Sequence, residues 1–248
     1  MVLRALVSLA LALLTAGPAG AGSYSADGRQ NVDEVTYPWS ALGRVNNEYG
    51  GFCTGTLVGL RAVLTAAHCL RDKRRGGWLS PASLHFVAGY QRGDYLAHAR
   101  VESYVIGGDI KRLHGGPIPP SSDWAILSLE RDLGALVGTL KVAPAPPGSR
   151  LIQAGYRFDR PHVLSADEGC RLVGPAAKGP LVVHSCAATH GDSGAPLLWR
   201  QGNDYRLAAM HVALYGGEDS FGLAIPAQTL GRALELLERD RLGGWPLP

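Results

Sequence analysis

The chain has 248 residues, of which 46% are hydrophobic and 18% charged, a composition typical of one large or two small globular domains. The 33 glycines and 16 prolines indicate many turns, which favours short β-strands over a helical bundle. Twenty-four basic and 21 acidic residues give a net charge of +3, too small a surplus to imply a nucleic-acid partner. The dense basic run Arg71, Lys73, Arg74 and Arg75 is interpreted as a solvated loop.

The first 21 residues have the features of a targeting segment. Arg4 supplies a positive charge, an uncharged apolar run extends from Ala5 to Leu14, and Ala19-Gly20-Ala21 forms a small-x-small cleavage site. The apolar run is shorter than the roughly 20 residues that a permanent transmembrane helix needs. We therefore predict a signal peptide over residues 1–21, cleaved near Ala21. The mature chain is then secreted or periplasmic, without a stable membrane anchor.

The four cysteines, Cys53, Cys69, Cys170 and Cys186, form two sequence-local pairs with the same 16-residue separation. In an oxidising compartment, an even number of well-separated cysteines indicates disulfides. Of the three connectivities that four cysteines allow, we favour the local one, Cys53–Cys69 and Cys170–Cys186. Because no Cys-x-x-Cys spacing is present, we predict no metal site and no cofactor.

Most of the chain consists of short apolar runs bounded by turn signals, a pattern typical of a β-sandwich or barrel. The proline-rich stretch Ala143–Gly148 divides this part near its middle and is the best linker candidate. Only the C-terminal region has a helical pattern, with Ala227, Leu230, Leu234 and Leu237 on one face. The predicted strands are Ser40–Val45, Thr54–Val58, Ala62–Thr65, Leu84–Ala88, Trp124–Leu129, Leu181–His184, Pro196–Trp199 and Leu207–Val212.

Three segments carry residues whose chemistry fits together: TAAHC contains His68, DWAIL begins with Asp123, and HGDSGAP contains Ser193. A serine hydroxyl is a weak nucleophile until an imidazole accepts its proton, and a carboxylate holds that imidazole in the required tautomer. Small residues around the serine leave backbone N–H groups free to stabilise the negative charge that develops on a substrate carbonyl. We predict that His68, Asp123 and Ser193 are catalytic, with an oxyanion hole at Gly191 and Ser193.

These motifs, in the order His, Asp, Ser, resemble the chymotrypsin-fold serine proteases. The segments YPWSALGRV (37–45), CTGTLVG (53–59) and AGY (154–156) are similar to the bacterial glutamyl-endopeptidase, or V8-like, branch, as is the cysteine pair ahead of the serine. The resemblance implies an all-β fold of two six-stranded antiparallel β-barrels with a C-terminal helix. His68 and Asp123 then come from the first barrel and Ser193 from the second.

This resemblance also divides the chain into parts. Residues 22–38 are expected to form an N-terminal arm or a short pro-segment, and residues 39–142 the first barrel. Residues 143–149 are the linker, and residues 150–248 form the second barrel with the helix. The implied function is a secreted, monomeric serine endopeptidase that hydrolyses protein or peptide substrates through an acyl-enzyme intermediate.

Each motif also has a plainer interpretation. GDSG occurs in ordinary turns, a histidine beside a disulfide can be structural, and Asp109 and Asp132 compete with Asp123. Asp123 is preferred because an apolar strand follows it directly, as after the family's catalytic acid. The nucleophile elbow of α/β-hydrolases is excluded, because Ala195 stands where that elbow needs glycine and the histidine precedes the serine. The alternative function is a catalytically silent protease-fold protein that binds a partner.

The candidate specificity residues are His211, Thr189, Ala187 and Ala188. In trypsins an aspartate six residues before the nucleophile receives Lys or Arg, and Ala187 stands there. Glutamate-specific relatives have a histidine on the strand after the serine, and His211 has the expected spacing. They also have a hydroxyl five residues before the serine, where this chain has Ala188 with Thr189 beside it. We predict a preference for Glu at P1, not for Lys or Arg, with a packed core histidine as the alternative for His211.

The activation route stays open. Trypsin-type enzymes are activated when a new N-terminus pairs with the aspartate before the serine, which is Asp192 here. No basic residue followed by Ile or Val and two glycines is present, and Arg29 and Arg44 are cleavage candidates without that motif. V8-like members often have a different polar residue before the serine, so Asp192 is a hybrid feature.

Overall fold

The computed structural model describes residues 28–33, 35–108, 116–215 and 221–242. The predicted signal peptide and the competing acid Asp109 lie outside these residues. The strands are β1 Gln30–Asn31, β2 Leu42–Asn47, β3 Phe52–Leu57, β4 Ala62–Thr65, β5 Leu84–Ala88, β6 Ala97–Ile106, β7 Ala125–Leu129, β8 Lys141–Val142, β9 Arg150–Arg157, β10 Arg160–Pro175, β11 Val182–His184, β12 Pro196–Gln201, β13 Asp204–Tyr215 and β14 Phe221–Pro226. The α-helices are α1 Gly134–Val137 and α2 Ala227–Leu242.

The first barrel closes in the order β2-β3-β4-β7-β6-β5 with antiparallel neighbours. Two of its strands are buried along their whole length, since every residue of β4 and every residue of β7 is buried. Phe86 and Leu64 are among the fully buried side chains of this core. Burial on this scale contributes about 1.5–3 kcal/mol for each large side chain.

The second barrel closes in the order β9-β10-β11-β14-β13-β12, again antiparallel. Two short strands extend its sheet: β1 of the N-terminal arm pairs with β10, and β8 pairs in parallel with β13. The chain therefore joins the sheet of the second barrel before it reaches the proline-rich stretch. The predicted architecture of two six-stranded barrels is confirmed.

The C-terminal helix is also confirmed, and its predicted apolar face is the one that packs. Ala227, Leu230 and Leu237 are buried, and Leu234 packs against the core. Leu234 and Leu237 line a groove whose other wall is the β3–β4 turn of the first barrel. Among the described residues, neither α-helix has the length and apolar character that crossing a membrane requires.

The four cysteines form two disulfides that brace the segments around the cleft between the barrels. Cys53 on β3 bonds to Cys69 with an S–S distance of 2.04 Å, and Cys170 on β10 bonds to Cys186 with an S–S distance of 2.10 Å. The first bond adjoins His68, and the second adjoins the segment that leads to Ser193. Each closes a 16-residue loop, which on the chain-entropy model stabilises the fold by about 3 kcal/mol.

Candidate active site

The candidate catalytic residues lie at the junction of the two barrels. His68 is on a 3-10 turn, Ala67–Leu70, directly after β4. Asp123 follows another 3-10 turn, Pro120–Ser122, and leads into β7, the neighbour of β4. The pairing of these two strands brings the histidine and the aspartate together although 55 positions separate them. Ser193, in the turn before β12, reaches them only because the barrels pack against each other.

Two hydrogen bonds join His68 to Asp123, and a third joins it to Ser193. Asp123 Oδ2 lies 2.7 Å from His68 Nδ1, and Asp123 Oδ1 accepts from the His68 backbone N–H at 2.8 Å. His68 Nε2 lies 2.8 Å from Ser193 Oγ. When Nδ1–H donates to the carboxylate, Nε2 is the acceptor for the serine hydroxyl.

The turn before Ser193 depends on glycine. Gly191 has φ +97°, and a Cβ there would lie 2.5 Å from the carbonyl oxygen of Tyr156. Thr54 of the first barrel fixes the same turn, since its hydroxyl donates to Gly191 O at 3.1 Å and its N–H to Ser193 O at 3.0 Å. Within the described residues, the N–H groups of Gly191 and Ser193 have no protein acceptor. Two donors are therefore available beside the serine hydroxyl.

A buried ion pair lies directly beneath this turn. The guanidinium of Arg29 and the carboxylate of Asp192 are 3.2 Å apart, and both side chains are fully buried. Arg29 also donates to the carbonyl oxygens of Ser165 and Ala187, each at 2.6 Å. Asp192 Oδ2 accepts from the N–H of Thr189 at 3.0 Å. The Arg29 side chain thus connects the N-terminal arm to the segment that carries Ser193.

Burial and pairing act in opposite directions on Asp192. Desolvation raises the pKa of its carboxyl group to about 6, while the Arg29 charge and the Thr189 hydrogen bond lower it. Removing Arg29 would raise this pKa further. At neutral pH the Asp192 carboxylate is therefore kept ionised by the Arg29 charge, which the N-terminal arm supplies.

A second buried pair consists of two histidines. His184 Nε2 lies 3.0 Å from His211 Nδ1, and the N–H of Cys186 donates to His184 Nδ1 at 3.2 Å. Burial lowers the pKa of His184 to about 4 and holds that of His211 well below its ordinary value. Both rings are therefore neutral at pH 7. Gly222 leaves the space that the His184 ring occupies.

The structure gives the other predicted specificity residues different surroundings. Ala187, Ala188 and Thr189 are half-buried in the segment between β11 and Ser193. Ala187 accepts from Arg29 through its carbonyl and donates its N–H to Asp167 Oδ2 at 2.8 Å. Ala187 thus lies between the Arg29 guanidinium, which is paired with Asp192, and the Asp167 carboxylate.

One group of possible metal ligands occurs among the described residues, Cys53, His68 and Cys69. The two sulfur atoms are bonded to each other, so neither is available as the thiolate that a metal would bind. The imidazole nitrogens of His68 already contact Asp123 and Ser193. This group does not fit a metal centre.

Two antiparallel barrels with a serine, a histidine and an aspartate in contact at their junction define the architecture of the chymotrypsin-fold serine proteases. The chain belongs to the trypsin-like peptidase domain family, whose family model matches residues 53–204, more than half of the chain.

Two curated relatives are proteases. Serine protease 23 of Mus musculus is 28% identical over 163 residues, which cover 56% of this chain and 41% of that protein. Transmembrane protease serine 5 of Homo sapiens is 27% identical over 217 residues, which cover 74% of this chain and 44% of that protein. The chain thus spans about two fifths of the length of these relatives.

Solved structures share the fold. A Glu endopeptidase in complex with MPD has a TM-score of 0.69 and 18% identity, covering 85% of this chain and 98% of that one. The protease Anisep from Arthrobacter nicotinovorans has a TM-score of 0.61 and 18% identity, covering 80% and 93%. At this level of identity the similarity is one of fold alone.

Two residues beside the site are not evident from the sequence. Arg29 has only the features of a candidate cleavage site, and no signal in the sequence connects it to Asp192. His184 lies on a predicted strand without an expected function. Its position two residues before Cys186 was the only sign that it lies near the segment that carries Ser193.

Proposed function

We propose that the protein is a serine endopeptidase in which Ser193 is the nucleophile, His68 the general base and acid, and Asp123 the residue that orients His68. The observation that carries the proposal is the 2.8 Å contact between His68 Nε2 and Ser193 Oγ, with Asp123 on the other ring nitrogen. Nucleophile, base and orienting group thus have the geometry that covalent catalysis by serine requires.

The acylation step follows from these contacts. Ser193 Oγ attacks the carbonyl carbon of the scissile bond while its proton moves to His68 Nε2. The negative charge that forms on the carbonyl oxygen is stabilised by the free N–H groups of Gly191 and Ser193. His68 then gives the proton to the leaving amine, the C–N bond breaks, and an acyl-enzyme ester remains on Ser193.

Deacylation repeats the sequence with water. Water loses a proton to His68 Nε2 and attacks the ester carbonyl, and the proton returns to Ser193 Oγ as the ester bond breaks. Asp123 stays ionised throughout and stabilises the imidazolium that forms in each step.

A fluorophosphonate probe tests this proposal because it labels only an activated serine. We expect the wild-type protein and the control Ser185→Ala to be labelled, and Ser193→Ala to remain unlabelled with an unchanged circular dichroism spectrum. Wild-type protein that is folded but neither labelled nor proteolytic would support the alternative, a silent protease-fold protein that binds a partner.

We further infer that the enzyme prefers Glu at P1. The N–H of Cys186 makes His184 Nδ1 an acceptor, so in the neutral ring the proton lies on Nε2 and points at His211 Nδ1. The proton of neutral His211 then lies on Nε2, which has no partner among the described residues. The relay of two histidines supports His211 as a fixed hydrogen-bond donor to a substrate carboxylate.

The side chain at position 187 is consistent with the same specificity, because Ala187 itself carries no carboxylate to attract Lys or Arg. A hydrogen bond to an ionised acceptor contributes about 1.5–3 kcal/mol, which corresponds to roughly 10- to 100-fold in selectivity.

Matched substrates with Glu, Gln, Lys and Phe at P1 test this preference. We expect kcat/KM for Glu to exceed that for Gln by roughly 10- to 100-fold in the wild type and in the control His85→Ala, a histidine on β5 that stacks on His98. The ratio should fall towards one in His211→Ala. Equal cleavage of Glu and Gln by the wild type would leave His211 as a packed core histidine.

The two disulfides support export to an oxidising compartment. We propose that the mature chain acts on protein or peptide substrates outside the cytoplasm. N-terminal sequencing of the protein recovered from the culture medium or the periplasm would test cleavage near Ala21.

A further inference from the structure

Three members of the basic run, Arg71, Lys73 and Arg74, line a cleft beside the candidate nucleophile. The cleft has a volume of about 300 Å³ and contains Ser193 and His68 at its inner end. Its other walls are the β2–β3 turn, the Cys53–Cys69 disulfide, and the pair Phe158 and His190. Arg71, Lys73 and Arg74 lie along the side nearest His68.

The side chains that line this cleft include three bases, and the carboxylates of Glu48, beside Tyr49, and of Asp72 lie just outside the lining. Three side chains, Arg71, Lys73 and Arg74, are cationic at pH 7, and no Asp or Glu is among the described residues that line the cleft. Asp72 lies within the same run, but its Oδ1 accepts from the backbone N–H groups of Arg74 and Arg75 at 2.9 and 3.0 Å. That carboxylate closes the turn of the backbone.

Contacts with aromatic rings hold two of these cations in place. The Arg71 guanidinium donates to the carbonyl oxygen of Gly116 and lies 4.5 Å from the centre of the Trp78 ring. The Arg74 guanidinium lies 4.6 Å from the centre of the Tyr49 ring. Such cation–π contacts attract the guanidinium to the ring face and keep its charge. Lys73, Arg74 and Arg75 are exposed, as the sequence predicts for a solvated loop, while the guanidinium groups of Arg71 and Arg74 each lie against a ring.

The position of the cleft indicates which half of a substrate it would meet. The residues assigned to the P1 side, His211 on β13 and the segment 187–189, do not line it. Its lining instead includes Ser193, His68 and the Cys53–Cys69 disulfide. In the proposed mechanism His68 delivers a proton to the leaving amine, so the peptide that begins with that amine lies on this side.

Resting on the proposed peptidase function, we propose that this cleft binds the leaving-group side of the substrate and selects segments with acidic residues at P2′ and P3′. Lys73 and Arg74 supply the charge that distinguishes Glu from Gln at these positions. Because exposed charge pairs are weak individually and are screened by salt, the combined effect should be about tenfold at low ionic strength and smaller at high salt.

Acyl transfer measures this binding separately from P1 specificity. An activated ester substrate forms the acyl-enzyme, and an added peptide amine then competes with water: its N–H₂ attacks the ester, the C–O bond to Ser193 breaks, and a new peptide is released. The added amines are Ala-Glu-Glu, Ala-Gln-Gln and Ala-Lys-Lys amides. The ratio of aminolysis to hydrolysis, extrapolated to low amine concentration, reports affinity for the leaving-group cleft.

We expect Ala-Glu-Glu amide to capture the acyl group about ten times more efficiently than Ala-Gln-Gln amide, and Ala-Lys-Lys amide to be the poorest acceptor. The advantage of Glu should disappear in Lys73→Gln/Arg74→Gln. It should persist in Lys141→Gln/Arg200→Gln, which removes the same charge at two exposed residues outside the cleft. Equal capture of the Glu and Gln amides by the wild type, or an advantage that survives in Lys73→Gln/Arg74→Gln, would overturn the proposal.

Failure of the proposed function gives a different result. If no acyl-enzyme forms from the ester, the peptidase assignment fails. Binding in the cleft is then tested by titrating the Ser193→Ala variant with the three amides and following the NMR chemical shifts of the protein. Tighter binding of Ala-Glu-Glu amide in that titration, lost when Lys73→Gln/Arg74→Gln is added, would support the cleft. Equal binding of the three amides would overturn it.

Discussion

Asp123 contacts His68 at two points, the ring nitrogen Nδ1 and the backbone N–H, so it controls both the tautomer and the position of the imidazole. The side chain of Asp123 is only 10% exposed whereas that of His68 is 37% exposed. The acid is thus shielded from water while the base faces the cleft. At the scale of single residues, this difference in exposure supports the proposal that Asp123 orients the ring and His68 transfers the proton.

Asp123→Asn tests the tautomer directly. The amide N–H₂ of asparagine faces His68 Nδ1 and turns that atom into an acceptor, so the ring proton moves to Nε2 and can no longer be exchanged with Ser193. We expect kcat to fall by roughly 10⁴-fold, as in the general template for such triads, with little change in Tm. The measurement is steady-state hydrolysis of a peptide or ester substrate.

Asp132→Asn is the matched control. Asp132 competed with Asp123 in the sequence, but its side chain is 55% exposed and lies 3.6 Å from Arg61. We expect wild-type kcat in this variant. If Asp123→Asn retained wild-type activity while Asp132→Asn lost it, the orienting role would belong to Asp132.

The N-terminal arm shows what a short element contributes. Its strand β1 has two residues and adds little pairing. Next to it, however, Arg29 carries a fully buried charge to the aspartate that precedes the nucleophile. An ion pair in this position holds the turn with the free N–H groups of Gly191 and Ser193, so the arm should affect catalysis as well as folding.

Arg29→Leu should destabilise the protein by about 3–5 kcal/mol, because it leaves the Asp192 carboxylate buried without its cation. We also expect kcat to fall more than KM rises, since the turn around Ser193 loses its support. Chemical denaturation and steady-state kinetics measure the two effects.

The double variant Arg29→Leu/Asp192→Leu provides the control. Replacing both members of a buried pair with apolar residues is often neutral for stability, so stability should largely recover while activity stays low. If the double variant recovered neither stability nor activity, Arg29 would act through its bonds to Ser165 and Ala187. Full activity in Arg29→Leu would show that the ion pair does not support the turn.

For the whole molecule, buried histidines connect stability to pH. In the unfolded chain His184 titrates at its ordinary pKa of 6.5, whereas in the folded protein burial lowers that pKa to about 4. Between these values the unfolded state binds the proton first, so the stability is complete above pH 6.5 and is lost as the pH falls towards 4. His184 alone accounts for roughly 3 kcal/mol of this loss, and His211 changes in the same direction.

We therefore expect the free energy of unfolding to decrease between pH 6.5 and 4, and to decrease less in His184→Gln and in His184→Gln/His211→Gln. Asp192 acts in the opposite sense, because burial raises its pKa and ionisation destabilises the fold. Chemical denaturation at each pH compares the slopes, and His190→Gln, an exposed histidine, should follow the wild type. Identical slopes in all four proteins would contradict neutral, buried histidines.

Much of the architecture was predictable because its signals are local. The eight predicted strands correspond to β2, β3, β4, β5, β7, β11, β12 and β13, and each is a compact apolar run. Among the strands that the sequence does not predict, β6 alternates regularly over residues 97–102 and loses the alternation at a register shift, while β10 has an irregular pattern with two shifts against β9. Their pairing depends on neighbours in the barrel, and a single strand does not reveal it.

The order of His68, Asp123 and Ser193 and their small or apolar neighbours were readable in the sequence, because the chemistry of a nucleophile, a base and an orienting acid restricts those residue types. Which groups surround them was decided by the tertiary structure alone. Arg29 meets Asp192 across 163 positions, and His184 meets His211 across 27. The basic run became one wall of a cleft only when the barrels met. Such pairs form because distant segments are buried together when the chain folds, and a local sequence pattern therefore does not predict them.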